Sequence, residues 1–242
     1  MDRRQRNLLR RTGAAIADHD MIARGDRIAV GLSGGKDSFA LLWALDHFRR
    51  VAPVEFSLVG ATVSMGWGAD LSPIASFCAD LGVEHHIEDT SIGPIVFDSR
   101  REQNPCSLCS NMRRGALLAL AARLGCNKVA LAHHLDDAAE TLIMNIMFSG
   151  RVTVFRPVTY MSRRRVAVIR PLVYCTESTV SAAAHQLGAP IVPQDCPASG
   201  RTYRSSIKGF ISSLREKNPR IDESILASMK QLWAHPGGTG RP

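Results

Sequence analysis

The stretch Arg27–Ser38, RIAVGLSGGKDS, decides the fold. Its first half, Ile28-Ala29-Val30-Gly31-Leu32, is a short apolar run, the pattern of a parallel strand buried on both faces by helices. Its second half breaks at Gly34-Gly35, and Asp37-Ser38 opens a segment in which Leu41, Leu42, Leu45 and Phe48 recur at helical spacing. Ser33 to Ser38 is therefore the turn between strand and helix. Adjacent glycines free the backbone to converge several N–H groups, and both the positive end of the helix dipole and the Lys36 ammonium lie beside them. These parts make an anion site, and phosphate is the expected ligand.

Two commoner phosphate loops are excluded. A Walker loop places Gly five residues before Gly35 and Ser or Thr after Lys36, but this chain has Val30 and Asp37 there. The dinucleotide fingerprint fails because Gly31-Leu32-Ser33 lacks its second glycine. SGGKDS resembles instead the pyrophosphate loop of the N-type ATP pyrophosphatases, which split ATP between its α and β phosphates. A glycine turn with a solvated lysine is the bland alternative, and it leaves the order strand, turn, helix unexplained.

Further strands are expected at 54–63, 83–88, 128–132 and 166–170, with helices at 74–81 and 112–124. The expected architecture is α/β: an open parallel five-stranded sheet with helices on both faces, of the adenine nucleotide alpha hydrolase-like kind. A basic N-terminal helix (1–24) precedes the main domain (25–195), and a C-terminal helical region (196–242) follows it. In a doubly wound sheet ligands bind at the carboxyl ends of the strands, so the end of the second strand, with Ala61 and Val63, is where an adenine is expected.

The chain has 242 residues, 45% of them hydrophobic, enough for one large domain with a real core. A formal net charge of +8 favours a polyanionic partner, because lysines and arginines set against a phosphate backbone release its counterions. The N-terminal segment pairs Arg3, Arg4, Arg6, Arg10 and Arg11 with Leu8, Leu9, Ile16, Met21 and Ile22, so it reads as an amphipathic helix with a basic exterior, either a contact for RNA backbone or a solvated face. No run approaches the ~20 apolar residues of a membrane span, and the expected location is cytoplasmic with no membrane partner. The tail from Pro236 to Pro242 reads as disordered.

Six cysteines in an α/β pattern point to metal or redox chemistry rather than to a disulfide framework. Cys106-Ser107-Leu108-Cys109 stands at the mouth of a helix, where the dipole with Arg113 and Arg114 is expected to favour thiolates. Three readings compete. A redox dithiol normally follows a strand directly, and none precedes it here. A structural zinc site needs two more ligands, and there is no second Cys-x-x-Cys. An iron–sulfur cluster needs a further cysteine from afar, and Cys196 lies between Pro193 and Pro197 in a loop suited to presenting a thiol. Cys78, Cys126 and Cys175 fit core positions.

The fourth expected strand delivers His133-His134-Leu135-Asp136-Asp137 to the rim that carries the phosphate loop. Paired carboxylates beside a histidine serve Mg²⁺ binding or proton transfer, although Asp136 or Asp137 capping the next helix would explain them too.

Together SGGKDS, PCSLCSNMRRG, ALAHHLDDAAETL, IRPLVYCTE and IVPQDCP, in that order and covering nearly the whole chain, resemble the tRNA 2-thiocytidine synthetase family. Two departures are Ala132 where GHH is common, and a short MGWGAD segment at 65–70. Arg201, Arg204 and Lys208 in the tail also resemble the 2-thiouridine synthetases, whose zinc fingers this chain lacks. The resemblance implies ATP and Mg²⁺, with phosphates on Ser33, Gly34, Gly35, Lys36, Asp37 and Ser38 and the metal aided by Asp37, Asp136 or Asp137. It implies a [4Fe-4S] cluster on Cys106, Cys109 and Cys196 with one iron open, Arg113 neutralising nearby charge, and His133 and Asp137 handling protons or metal. The implied partners are tRNA, a sulfur donor (a cysteine desulfurase or free sulfide) and a second copy in a homodimer. Rival classes are an iron-free ligase of the lysidine type, which leaves the presented cysteines idle, and a nucleotide-binding sensor, which leaves HHLDD idle as well.

Overall fold

The computed structural model describes residues 1–100, 105–192, 196–197 and 203–234; Pro193–Asp195, Arg201 and the Pro236–Pro242 tail, on which expectations above fall, lie outside them. All five expected strands are present, as Arg27–Gly31 (β1), Ser57–Ser64 (β2), Glu84–Asp89 (β3), Lys128–Ala130 (β4) and Val166–Ile169 (β6). A sixth, Val158–Met161 (β5), corrects the strand count. It pairs antiparallel with β6 at the sheet edge, in the order β3-β2-β1-β4-β6-β5. An edge strand is bonded on one side only, and four residues mixing Thr and Tyr with Val and Met give too short an alternation to stand out from a loop.

Period-two alternation sorts the strand residues between two cores. Ile28 and Val30 of β1, Leu58 of β2, Ala130 of β4 and Ile169 of β6 face a large core. Helices Arg3–Asp18 (α1), Lys36–Val51 (α2), Ser72–Asp80 (α3) and Glu177–Gln186 (α7) supply its other side. Ala29, Val59, Ala61, Val129, Val166 and Val168 face the opposite way, onto Leu118, Leu120 and Ala121 of the helix Pro105–Arg123 (α5). Two apolar faces are what a parallel sheet requires. α1 buries Leu8, Leu9, Thr12 and Ala15, and Arg11 donates to the Tyr174 carbonyl at 3.1 Å, leaving Arg3, Arg4, Arg6 and Arg10 on the exterior.

Between 91 and 100, where periodicity fails, the chain makes a short turn Ile92–Pro94 (α4) that continues as one wide turn, Ile95–Ser99. The helix Leu135–Ser149 (α6) follows β4, and two C-terminal helices, Tyr203–Lys217 (α8) and Ile221–Ala234 (α9), complete the described chain. α8 lays Ile207 and Ile211 against Ala139, Ile143 and Met144 of α6. Cys78, Cys126 and Cys175 are buried, as their spacing predicts.

β1 turns through α2 to β2 on one side, whereas β4 turns through α6 toward β6 on the other. The chain direction therefore divides between β1 and β4, and a crevice opens beyond their carboxyl ends. α5 ends just before β4 begins at the amino edge of the sheet. Over 19 residues, at ~1.5 Å each, its first turn therefore returns to the carboxyl rim.

Candidate active site

The phosphate loop crosses the crevice at the end of β1. Gly34 has φ +79°, a conformation that costs other residues, and Gly35 is the N-cap of α2 with no side chain bonded to the helix start. The first amides of this 16-residue helix are therefore not capped from within. Lys36 Nζ stands 3.3 Å from Asp37 Oδ2 and 3.3 Å from Glu177 Oε1. Ser38 is buried, and its hydroxyl donates to the Gly35 carbonyl at 2.8 Å, so it braces the loop from inside. Asp37 Oδ1 is buried without a hydrogen-bond partner. Burial raises the Asp37 pKa, against the opposing pull of Lys36 and His134. An orphaned carboxylate oxygen beside a phosphate loop fits a cation that arrives with the nucleotide.

At the end of β4 the histidines and carboxylates divide their work. The His134 N–H donates to Asp137 Oδ2 at 3.0 Å and the Asp137 N–H donates to His134 Nδ1 at 3.4 Å, a reciprocal box that caps α6. Asp136 Oδ2 accepts the Glu177 N–H at 2.7 Å and Oδ1 takes Arg215 at 2.5 Å. Both Asp136 oxygens are thus engaged by the start of α7 and by α8, which makes this residue a tie between helices. His133 is half-buried, its ring centre 5.1 Å from that of Phe155, with Nδ1 buried and unpartnered. Burial, then the nearby Arg170, pushes its pKa down to about 4. At neutral pH it is an uncharged imidazole able to accept a proton or a hydrogen bond.

The Cys-x-x-Cys lies within the first turn of α5, which starts earlier than the expected residue 112, so Cys106 and Cys109 are three residues apart on one helical face. Cys106 is exposed, while Cys109 and Cys196 are half-buried. The Cys109 thiol feels Arg113 in the sense that favours a thiolate, and Cys196 and Cys106 in the opposite sense. The expectation of a favoured thiolate is corrected for Cys109. Burial, abetted by the other two thiols, raises its pKa and outweighs Arg113. Among the described residues no group of three or more His, Cys, Asp or Glu side chains stands at metal-ligand spacing. Three cysteine thiols, two on α5 and one from a distant segment, are by their chemistry a donor set that an iron–sulfur cluster takes.

At the adenine edge Val63 is half-buried near the end of β2, whereas Ala61 is fully packed and its carbonyl accepts the Leu32 N–H at 2.8 Å. The rim position is therefore Val63, which leaves the strand on the same face as Ala61 but two residues nearer its carboxyl end. The short MGWGAD loop sets Trp67 against Gly93, with its ring 5.7 Å from Phe97.

Several charges at this rim were not assigned from the sequence. Arg204 reaches Glu140 at 3.2 Å and Asp137 at 3.8 Å, and Lys208 reaches Glu177 at 2.7 Å. Burial raises the Glu140 pKa despite Arg204. Burial also acts to raise that of Glu177, but Lys208 and then Lys36 hold it below its usual value. The basic C-terminal helix thus spends Arg204 and Lys208 on carboxylates, along with Arg215. The helical spacing of 204, 208 and 215 beside buried Ile207 and Ile211 was the available signal.

Comparison with known proteins follows this geometry. The PP-loop domain family profile matches residues 5–211. The chain is 40% identical to the tRNA-cytidine(32) 2-sulfurtransferase of Pelobacter propionicus, covering 96% of this chain and 87% of that protein. It is 39% identical to the protein of the same name from Geobacter sulfurreducens, covering 93% and 90%. Among solved structures it resembles the U34-tRNA thiolase NcsA from Methanococcus maripaludis with its [4Fe-4S] cluster, at TM-score 0.79 and 24% identity over 96% of this chain and 80% of that one. It also resembles the NH3-dependent NAD synthetase of Campylobacter jejuni, at TM-score 0.52 and 16% identity over 100% and 97%. Both structural likenesses speak to the fold alone.

Proposed function

Since this chain belongs to the PP-loop family of tRNA-cytidine(32) 2-sulfurtransferases, we propose that it replaces the C2 oxygen of an anticodon-loop cytidine with sulfur, using ATP and Mg²⁺. The observation that carries this reading is the phosphate loop at the end of β1, where the open start of α2, the Lys36 ammonium and the orphaned Asp37 oxygen stand together.

ATP binds with its phosphates against the amides of Gly34 and Gly35 and the start of α2, with Lys36 as counter-charge. Asp37 offers its orphaned oxygen to Mg²⁺, with Asp137 next in line once Arg204 moves aside. The cytidine C2 oxygen attacks the α phosphorus, the bond to the β phosphate breaks, and pyrophosphate leaves. Sulfur then adds at C2 as the C2–O bond breaks and AMP departs. Cys106, Cys109 and Cys196 would hold a [4Fe-4S] cluster, whose open iron supplies sulfide as the nucleophile. Arg113 offsets negative charge between thiolates and phosphate. His133, uncharged and with a free nitrogen, accepts the proton of the hydrosulfide once its sulfur has added at C2.

The RNA meets the exterior arginines of α1, among others, under long-range attraction from the +8 charge. The sulfur comes from a cysteine desulfurase or free sulfide, and the setting is the cytoplasm. Among the described residues no helix is long and apolar enough to cross a membrane. The chain pairs with a second copy. In support, the last turns of α6 and the outer edge of α8 leave Met147, Phe148, Tyr203 and Phe210 more than half exposed, with the Phe148 and Tyr203 rings 4.8 Å apart. Thr141 to Gly150 carries no charge, which suits an apolar partner better than phosphate.

Anaerobic purification with iron and acid-labile sulfide quantified tests the proposal. About four of each per chain are expected, and Cys→Ser at position 106, 109 or 196 should bleach the protein and abolish 2-thiocytidine formation. Full iron in any of these variants, or zinc in its place, overturns the assignment.

A further inference from the structure

The third cysteine is tied to the nucleotide loop through one backbone bond. The Val192 N–H donates to the Gly34 carbonyl at 3.0 Å, and Val192 is buried although Ile191 before it is exposed. The fit is close, since a Cβ on Gly34 would stand 2.8 Å from Val192 Cβ. Cys196 follows four residues later, so it lies within roughly 14 Å of this anchor by chain reach. The Gly34 carbonyl and the Gly35 N–H belong to one planar peptide unit and turn together. That N–H has only a long bond inside the loop, to Ser33 Oγ at 3.4 Å, and stands at the open start of α2 where a phosphate would bind.

We propose that Val192 is a positioning residue that couples occupancy of the phosphate loop to the placement of Cys196. A phosphate on the Gly35 N–H fixes the orientation of the Gly34–Gly35 peptide. It also polarises that peptide, so the carbonyl becomes a stronger acceptor for Val192. Val192, four residues before Cys196, is then held more firmly when nucleotide is bound. By reciprocity, holding Cys196 tightens nucleotide binding by the same factor. The inference rests on the phosphate-loop and cysteine assignments above, and it needs no direct contact between ATP and the thiol.

The test uses the full-length, iron-free chain, with ATP–Mg²⁺ binding followed by calorimetry in the same samples. Alkylation of Cys196 by iodoacetamide, quantified by peptide mass against Cys106, should slow roughly fivefold when ATP binds, the change that one net hydrogen bond supports. In V192P, which lacks the N–H, ATP should still bind about fivefold more weakly and the protection of Cys196 should vanish. V192A keeps the donor and should keep the protection. Hydrogen exchange at the Val192 amide of the unmutated chain gives a readout independent of any variant, and ATP should slow it. Equal protection in V192P would mean that ATP shields the thiol directly, and this overturns the coupling. So does unchanged Val192 exchange with ATP bound. Failure of ATP to bind the unmutated chain overturns the phosphate-loop reading and the coupling with it.

Discussion

Replacing His133 by Gln should flatten the pH dependence of stability on the acid side of neutrality. His133 is half-buried against Phe155, and the Arg170 guanidinium lies 4.9 Å from the centre of that same ring. Burial first and Arg170 second hold its pKa near about 4, against 6.5 in the unfolded chain, while Asp137 pulls the other way. Between those values the unfolded chain binds a proton that the folded chain refuses, so stability falls as pH falls through this window. At ~1.36 kcal/mol per pKa unit, the folded state loses about 2 kcal/mol from this residue between pH 7 and pH 5, and about 3 kcal/mol by pH 4. Burial also lowers the His19 and His85 pKa values, so both add to the acid sensitivity, but equally in parent and variant. Urea midpoints measured at half-unit steps from pH 7.5 to pH 4.5, converted with a common m-value, should diverge by that amount. Parallel profiles for parent and H133Q would refute the placement of a neutral imidazole at this depth. In activity assays the same depression predicts no acid break near pH 6.5 from this group, and a rate loss of ~10²-fold or more in H133Q if it takes the proton.

Three further outcomes follow from other parts of the site. G34A combines a φ of +79° with a Cβ 2.8 Å from Val192, so ATP affinity should fall at least ~10-fold; calorimetry showing unchanged binding would remove Gly34 from the phosphate site. R215L leaves Asp136, whose side chain is 4% exposed, without its cation, and should cost about 1–3 kcal/mol in denaturant unfolding. A loss within 0.5 kcal/mol, as expected for exposed Lys217→Leu, would show that the Asp136 tie is idle. M147E with F148E places charge on the apolar face of α6 and should convert a dimer to a monomer in sedimentation at fixed concentration. A parent chain that is itself monomeric would refute that interface.

Local chemistry was enough to read the central loop and most of the frame. Val30, Gly34 and Lys36 announce strand, turn and helix start because each depends on neighbours a few residues away. The family was legible too, because its motifs are contiguous. What the sequence left open depends on groups far apart in the chain. Asp136 and Asp137 read as Mg²⁺ or proton-handling groups, with helix capping as the alternative. Only the packing of α8 engages Asp136 with Arg215, 79 residues away, and leaves the orphaned oxygen on Asp37. The partners of Arg204 and Lys208 were set only by tertiary structure, which brings Glu140 and Glu177 beneath them. Burial likewise reverses the expected effect of Arg113 on Cys109, since desolvation is a property of the assembled fold. Short-range propensity and periodicity are written residue by residue, but charge pairing and dielectric environment exist only once distant segments meet.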